Sequence, residues 1–313
     1  MTRPLSSVQP SPDVMRRRAC ALGEHVRALV YDTGGMVKAA VTGRTAADTI
    51  YAIDRVADEA ILGWFEQHWP DVRVVSEGFD EPVDIGRPRC TVIVDSIDGT
   101  RGLMYDKRSA WCLAAAAPVD GSLSDIVAAA MTELPTAKQG AADQLSGTRG
   151  GGVVAERLNL HTGHRTPFQP ARSSATDLEH SFGGLAKFFL PGKATLAALE
   201  AELFARLGCR DVFDDEYLST GGQIYELITG RDRFVADLRP LVDAEAHACH
   251  PYDVCTSVLL QESGGVVTDP WGRPLDAPLD TVTPVSWVGY ANEALASWIG
   301  PALAEVVDGL SPR

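Results

Sequence analysis

Residues 90–100 read Cys-Thr-Val-Ile-Val-Asp-Ser-Ile-Asp-Gly-Thr, and this stretch decides both the fold and the chemistry that we predict. Its first five residues form a short β-branched run that is typical of a buried strand. Asp95 and Asp98 follow, and then a glycine and a threonine open the next segment. Such a turn places hard oxygen ligands, which suit Mg²⁺, beside exposed backbone N–H groups, which suit a phosphate. A simple Asx turn or helix cap is the alternative interpretation of this pattern.

A second β-branched run, Val72 to Val75, also delivers an acid, Glu77, just after its end. We predict further strands over residues 49–53, 111–117, 126–131, 266–268 and 285–289. We predict helices over residues 11–31, 55–68, 193–207, 223–229 and 253–262. Residues 140–152 are rich in glycine and small polar residues, which predicts a surface loop. The alternation of helices and strands indicates a layered α/β fold.

The length and charge of the chain narrow the function classes. Its 313 residues are long for one hydrophobic core and short for three, so we expect one compact two-part α/β unit. Apolar residues make up 45% of the chain, and the 22% of charged residues argues against disorder. The net charge of −14 repels nucleic-acid phosphates and anionic lipids, which argues against both as general partners. An anionic substrate therefore needs a local cation, for which a bound metal ion is the obvious candidate.

Cysteine usage and the apolar runs predict a soluble cytoplasmic protein. The six cysteines are scattered without a CxxC pair, which is typical of reduced thiols. Met1 to Arg18 contains prolines and three consecutive arginines but no apolar stretch, so we predict neither a signal peptide nor a membrane anchor there. The longest apolar run, Ala110 to Val119, is too short to span a bilayer.

Three blocks of the sequence resemble the inositol monophosphatase family of metal-dependent, lithium-sensitive phosphatases, whose relatives include fructose-1,6-bisphosphatase. Residues 75–78, Val-Ser-Glu-Gly, are similar to the family's Gly-Glu-Glu segment. Residues 95–100 are similar to its Asp-Pro-Ile-Asp-Gly-Thr signature, with a serine in place of the proline. Residues 252–254 and 261–265 are similar to its Trp-Asp helix and the Glu-Ala-Gly-Gly that follows. The order and separations of the blocks also match, from about Asp48 to Asn292.

The resemblance implies a role for the residues of these blocks. It implies an oxygen-ligand set for two or three Mg²⁺ ions, made of Glu77, Asp95, Asp98, Asp253 and the carbonyl oxygen of Ile97. Asp54 would hydrogen-bond Thr100, and this pair would orient or deprotonate the attacking water. Asp54 also stands where it would cap the helix predicted from residue 55. The backbone N–H groups of Gly99 and Thr100 would hold the phosphate.

Departures from the family's pattern concern mainly the substrate. Ser219 and Thr220 stand where the family has a Gly-Ser-Ala-Ala segment lining the substrate pocket, so both are predicted substrate contacts. The family's substrate-binding acid has its counterpart one residue after Glu245, so Glu245 takes that role only if an insertion restores the register. Lys187 could serve a second phosphate, and the basic segment Arg101–Arg108 could meet a second anionic group. Solvated surface charge is the alternative interpretation of both.

The resemblance also implies a fold and a reaction. The fold would be a layered αβαβα sandwich, with a metal- and phosphate-binding subdomain over residues 1–170 and a C-terminal subdomain over residues 171–313 that closes the substrate site. The reaction would be hydrolysis of a phosphate monoester on an inositol, sugar, polyol or nucleotide by metal-activated water. A homodimer and inhibition by Li⁺ are further expectations from the family.

Two alternatives to a general phosphatase stay open. One is a phosphatase-fold enzyme repurposed for a pathway-specific substrate, which the altered segment after Thr100 favours. The other is a non-catalytic protein that binds a metal or a phosphorylated ligand. The retention of Asp54, Glu77, Asp95 and Asp253 beside Thr100 argues against this second alternative.

Overall fold

The computed structural model describes residues 9–32, 41–44, 49–215, 217–243 and 247–310. The helices of this part are α1 (Pro12–Asp32), α2 (Ala52–His68), α3 (Thr100–Met104), α4 (Lys193–Leu207), α5 (Thr220–Ile228), α6 (Arg239–Val242), α7 (Pro251–Val254), α8 (Ser257–Glu262) and α9 (Glu293–Asp308). α1 begins at a proline, which lacks the N–H that would be unpaired at a first helical position. None of these described helices is both long and apolar enough to cross a membrane.

The strands of the described residues form three sheets. They are β1 (Val41–Arg44), β2 (Thr49–Tyr51), β3 (Val72–Ser76), β4 (Val83–Ile85), β5 (Thr91–Asp98), β6 (Ala110–Ala117), β7 (Ala128–Leu134), β8 (Ala141–Thr148), β9 (Gly152–Asn159), β10 (Arg165–Phe168), β11 (Ser181–Leu185), β12 (Val212–Phe213), β13 (Asp232–Asp237), β14 (Val266–Thr268) and β15 (Trp287–Tyr290). β1 pairs with β2, an eight-stranded sheet has the order β10-β9-β8-β7-β6-β5-β3-β4, and a five-stranded sheet has the order β12-β11-β13-β15-β14.

The two larger sheets and three sets of helices stack as layers. α1 and α2 cover one face of the eight-stranded sheet. Its other face packs on α5, α7 and α8, and α5 and α8 also contact the five-stranded sheet. α4 and α9 contact each other and strands of the five-stranded sheet. The predicted layered αβαβα sandwich is confirmed.

The central strands of the eight-stranded sheet are buried on both faces. Along β5, Ile93 belongs to the core between the two sheets, while Val92 and Val94 belong to the core beneath α1 and α2. Leu113 and Ala114 of β6 divide in the same way. Successive side chains of a strand point to opposite faces, so these strands read as continuous apolar runs. The end of β5 is thereby fixed in the middle of the molecule.

Residues 140–152 do not form the predicted surface loop. Most of them belong to β8, which lies between β7 and β9 and is largely buried. The Asp143 carboxylate accepts hydrogen bonds from Nε and Nη2 of Arg157, each at 2.7 Å, and from the Tyr225 hydroxyl at 2.6 Å. The prediction was wrong because a polar side chain can be buried when residues of other elements supply its hydrogen bonds, as Arg157 and Tyr225 do for Asp143.

Each larger sheet is built from its own stretch of chain. β3 to β10 lie within residues 72–168, and β11 to β15 lie within residues 181–290. One hydrophobic core nevertheless joins the two sheets, since Leu113 of the first and Phe234 of the second belong to it. The predicted helix over residues 253–262 is divided into α7 and α8.

Candidate active site

The candidate site is built where two neighbouring parallel strands end. β3 and β5 pair in parallel, with Ser76 opposite Val94. Glu77 follows Ser76 and Asp95 follows Val94, so the register places both acids at the same edge of the sheet. Ligands of α/β proteins commonly bind outside the carboxyl ends of such strands.

A bulge in β5 accommodates a second acid. Asp95 pairs with Leu113 of β6 and Asp98 pairs with Trp111, so three steps along β5 match two steps along β6. In a regular strand, residues three apart point to opposite faces, and the extra residue of the bulge lets Asp98 turn toward Asp95. Within the bulge, the backbone N–H of Ile97 donates to Oδ1 of Asp95 at 3.0 Å.

A third acid comes from α7, which contacts β5. Asp253 lies in the first turn of α7, after a proline at the first helical position. Its Oδ2 accepts a hydrogen bond from the backbone N–H of His250 at 2.6 Å. This capping arrangement fixes the carboxylate at the start of the helix.

The three aspartates form a compact cluster, in which Asp95 and Asp98 are buried and Asp253 is half-buried. One carboxylate oxygen from each of Asp95, Asp98 and Asp253 lies within 4.8 Å of the others. Only 3% of Asp95 and 6% of Asp98 are exposed. Burial, with the charge of Asp253 added, raises the pKa of Asp98 to about 7. Burial and the charges of Glu77, Asp98 and Asp253 raise the pKa of Asp95 well above its usual range. Carboxylates this close repel one another unless a cation offsets their charge, so the cluster suits a metal ion.

A sharp turn follows the bulge. Gly99 has φ 94°, and a Cβ built there would lie 2.9 Å from Cβ of Ser219, so the position requires glycine. α3 begins at the next residue, and the Thr100 hydroxyl donates to the carbonyl oxygen of Ile97 at 2.7 Å. The first N–H groups of a helix have no partner within the helix, which suits them to bind an anion.

The predicted metal and phosphate residues line one cavity. Its lining includes Glu77, Asp95, Ile97, Asp98, Gly99, Thr100, Ser219, Thr220 and Asp253. Its volume is ≈ 80 Å³, and it adjoins a wider cavity of ≈ 520 Å³ through the shared residues Gly99, Tyr217, Leu218 and Ser219. The three sequence blocks therefore meet in space, far apart though they are in the chain.

The start of α5 holds Asp98 in place. The Ser219 side chain caps α5 by accepting a hydrogen bond from the backbone N–H of Gly222 at 3.3 Å. The backbone N–H of Gly221 donates to Oδ2 of Asp98 at 2.6 Å. Hydrogen bonds from Ser219, Gly221 and Thr220 lower the pKa of Asp98 and so oppose the effect of its burial. The sequence predicted only substrate contacts for Ser219 and Thr220, and it did not predict that this segment positions Asp98.

Comparison with known proteins identifies the family. The family model described as "Inositol monophosphatase family" matches residues 18–306 of the chain. This chain belongs to the inositol monophosphatase family. The family consists of phosphatases and is generally metal-dependent. No match is found among curated proteins.

Several solved structures resemble this family member. Leishmania major fructose-1,6-bisphosphatase in holo form has a TM-score of 0.71 and 14% identity, with 95% of this chain and 96% of that chain covered. The extragenic suppressor protein suhB of Bartonella henselae has a TM-score of 0.67 and 20% identity, with 93% and 97% covered. The Thermotoga maritima IMPase has a TM-score of 0.64 and 17% identity, with 93% and 97% covered. Similarity at identities this low shows a shared fold and does not identify the substrate.

Some predicted site residues are not placed beside the carboxylates. The Lys187 ammonium pairs with Glu200 at 2.8 Å and with Asp214 at 2.6 Å, and Lys187 lines a neighbouring cavity. Glu245 lies outside the described residues. Asp54 is the third residue of α2, which begins at Ala52 and not at the predicted residue 55. The side chain of Asp54 lies outside the described part of the chain, so its pairing with Thr100 stays a prediction.

Sequence reasoning missed Arg239. This residue lines the same cavity as the three aspartates, and only 6% of it is exposed. One signal was available, because an acid and an arginine, Asp237 and Arg239, follow directly after an apolar run. Charged residues at the end of a buried strand are expected to be paired.

Proposed function

We propose that this family member hydrolyses the phosphate monoester of a small metabolite, such as an inositol, sugar, polyol or nucleotide phosphate, with Mg²⁺ as cofactor. The compact cluster of Asp95, Asp98 and Asp253 beside the turn at Gly99 carries this proposal. Uncatalysed hydrolysis of phosphate monoesters is so slow that enzymes accelerate it by up to ~10²¹-fold. Carboxylates alone repel a phosphate, so both the cluster and the substrate depend on a cation.

The donor set fits Mg²⁺, because every candidate ligand atom is an oxygen. The proposed ligands of two or three ions are Glu77, Asp95, Asp98, Asp253 and the carbonyl oxygen of Ile97. Glu77 lies outside the three-aspartate cluster but lines its cavity, and its charge contributes to the raised pKa of Asp95. When bound, Mg²⁺ supplies a water molecule of lowered pKa and stabilises negative charge on the leaving oxygen.

In the proposed mechanism the Thr100 hydroxyl orients the attacking water. A hydroxyl has one proton and two acceptor lone pairs, so Thr100 can accept from a water while donating to Ile97. In the proposed site Asp54 also pairs with this hydroxyl. If the Thr100 hydroxyl donates its proton to Asp54, it can no longer donate to the Ile97 carbonyl oxygen. That oxygen is then available as a metal ligand.

The backbone N–H groups of Gly99 and Thr100 are the proposed phosphate contacts. Both residues line the carboxylate cavity, and α3 begins at Thr100. Ser219 and Thr220 line the same cavity from the start of α5, which supports their proposed contact with the substrate.

The proposal includes the larger organisation expected from the family. The two subdomains, over residues 1–170 and 171–313, are supported by the separate stretches of chain that build the two larger sheets. A homodimer is proposed from the family resemblance. A cytoplasmic location is proposed from the six cysteines, which are unpaired with one another in the structure.

The test is phosphate release from a panel of inositol, sugar, polyol and nucleotide mono- and bisphosphates, with Mg²⁺ or with EDTA. We expect turnover of at least one compound with Mg²⁺, none with EDTA, and none by Asp95→Asn. Asp120→Asn, which changes a side chain that is 93% exposed, is the matched control and should behave as wild type. If no compound is cleaved although Mg²⁺ binds, a non-catalytic binding protein or a pathway-specific enzyme explains the site better.

A further inference from the structure

Two arginines share the cavity with the carboxylates. Arg101 and Arg239 both line it, although they come from α3 and α6 and are far apart in the sequence. Four acids line this cavity, but a guanidinium group cannot coordinate a metal ion, because it carries only hydrogen-bond donors. Their chemistry suits an anionic group of a ligand, which a guanidinium can bind through two parallel hydrogen bonds.

Arg239 is held rigidly at its place. Its Nε lies 2.9 Å and 3.0 Å from the two carboxylate oxygens of Asp237, and its Nη2 lies 2.5 Å from Oδ2. Asp237 is fully buried. Burial alone would lower the pKa of Arg239, but the charge and hydrogen bonds of Asp237 raise it overall, so the guanidinium stays charged. The pair with Asp237 uses the Nε and Nη2 edge and does not involve Nη1.

Phe189 brings the two arginines together. The Cζ atoms of Arg101 and Arg239 lie 5.5 Å and 5.4 Å from the centre of its ring, which also lines the carboxylate cavity. Arg239 lies 5.4 Å from the ring of Phe188 as well. Aromatic faces attract guanidinium groups and restrict their orientation. The two arginines are therefore arranged before a ligand arrives, which reduces the entropy lost on binding.

A purely structural role does not account for this arrangement well. Replacing a buried ion pair by apolar residues is often neutral or stabilising, so stability alone is a weak reason to keep Arg239 and Asp237 at a cavity wall.

We propose that Arg101 and Arg239 form a second anion site, which binds an oxyanion group of the substrate other than the phosphoryl group that is hydrolysed. This inference rests on the proposed function, because it assigns the specificity of the same cavity. Preferred substrates then carry a second phosphate or a carboxylate, and neutral polyol monophosphates are poorer substrates.

The test compares matched pairs of compounds. Fructose 1,6-bisphosphate is compared with fructose 1-phosphate, and 3-phosphoglycerate with glycerol 3-phosphate, which separates a second phosphate from a carboxylate. Both kcat/KM and calorimetric affinity are measured with Mg²⁺ for wild type, Arg101→Gln and Arg239→Lys. Arg239→Lys keeps the charge beside Asp237 and loses the planar fork, while Arg101→Gln leaves the Asp237 pair intact. Arg206→Gln, on the distant helix α4, is the control.

Wild type is expected to prefer the doubly anionic member of one pair by at least about 10-fold, the lower bound for a charge-assisted hydrogen bond. Each cavity variant should lose most of that preference, mainly through a higher KM for the doubly anionic compound, while it keeps a wild-type circular dichroism spectrum. Equal preference in wild type, or a preference that neither variant changes, overturns the second anion site. If neither compound is hydrolysed, the proposed function fails, and the ratio of affinities still decides whether the arginines select a second anion.

Discussion

Replacement of Gly99 by alanine tests how the turn after β5 organises the site. Gly99 has φ 94°, a conformation that costs an L-residue about 1–2 kcal/mol. The new Cβ would also lie 2.9 Å from Cβ and 3.0 Å from Oγ of Ser219, which must move. Ser219 caps α5, and loss of such a cap costs about 1 kcal/mol. We therefore expect Gly99→Ala to lower the free energy of unfolding by about 2–3 kcal/mol.

The effect on activity should exceed the effect on stability. A shift of Ser219 disturbs the hydrogen bonds that hold Asp98, and a misplacement of about 1 Å in a site can cost about 10²-fold in rate. Urea denaturation and phosphate release, measured on the same preparation, separate the two effects. Gly208→Ala is the matched control, because Gly208 has φ 72° with no atom within 4 Å of the built Cβ. A Gly99→Ala protein that matches Gly208→Ala in both measurements would refute this reasoning.

Three further predictions concern the protonation of Asp98, inhibition by Li⁺ and the hydrogen bond between Tyr225 and Asp143. The folded-state pKa of Asp98, about 7, exceeds its unfolded value near 3.8, so the stability linked to its protonation is lost as the pH rises through about 7. Melting temperatures in EDTA should show this loss. Added Mg²⁺ should remove it, and Asp98→Asn should reduce it, because the raised pKa of Asp95 still contributes. Li⁺ should inhibit turnover by taking a Mg²⁺ site, and undiminished turnover at high Li⁺ would count against that assignment. Tyr225→Phe removes a donor from buried Asp143 and should cost about 1–3 kcal/mol in urea denaturation, while unchanged stability would contradict that role.

The sequence predicted the site best where acidic residues directly follow a β-branched run that is typical of a strand. The acids after the runs at residues 72–75 and 90–94 were predicted to end strands, and the parallel pairing of β3 and β5 places Glu77 and Asp95 at one edge. Asp98 required more, because a bulge must turn it toward Asp95. The family resemblance supplied the distant Asp253, which no local pattern could connect to the strands.

Long-range pairing explains the misplaced and missed elements. The polar residues of β8 resembled a loop because their partners, such as Arg157 and Tyr225, lie on other elements. Lys187 stays a predicted substrate contact, but its two acidic partners, Glu200 and Asp214, are 13 and 27 residues away and could not be read from the sequence. Arg239 was missed although its ion-pair partner, Asp237, is only two residues away. Its place beside the three aspartates depends on the fold, which the local sequence does not show. Charge can be read from a sequence, but its partner usually cannot.

The central claim is that the aspartate cluster is a metal site, and calorimetric titration with Mg²⁺ tests it most directly. Wild type, Asp95→Asn and the exposed control Asp120→Asn are compared after removal of metal with EDTA. Changes in the outer partners of metal ligands already cost about 10–100-fold in affinity, so loss of the Asp95 carboxylate should cost at least as much. The account predicts that wild type and Asp120→Asn bind Mg²⁺ equally and that Asp95→Asn loses this binding. Equal Mg²⁺ affinity in wild type and Asp95→Asn, or no Mg²⁺ binding by wild type, would contradict it.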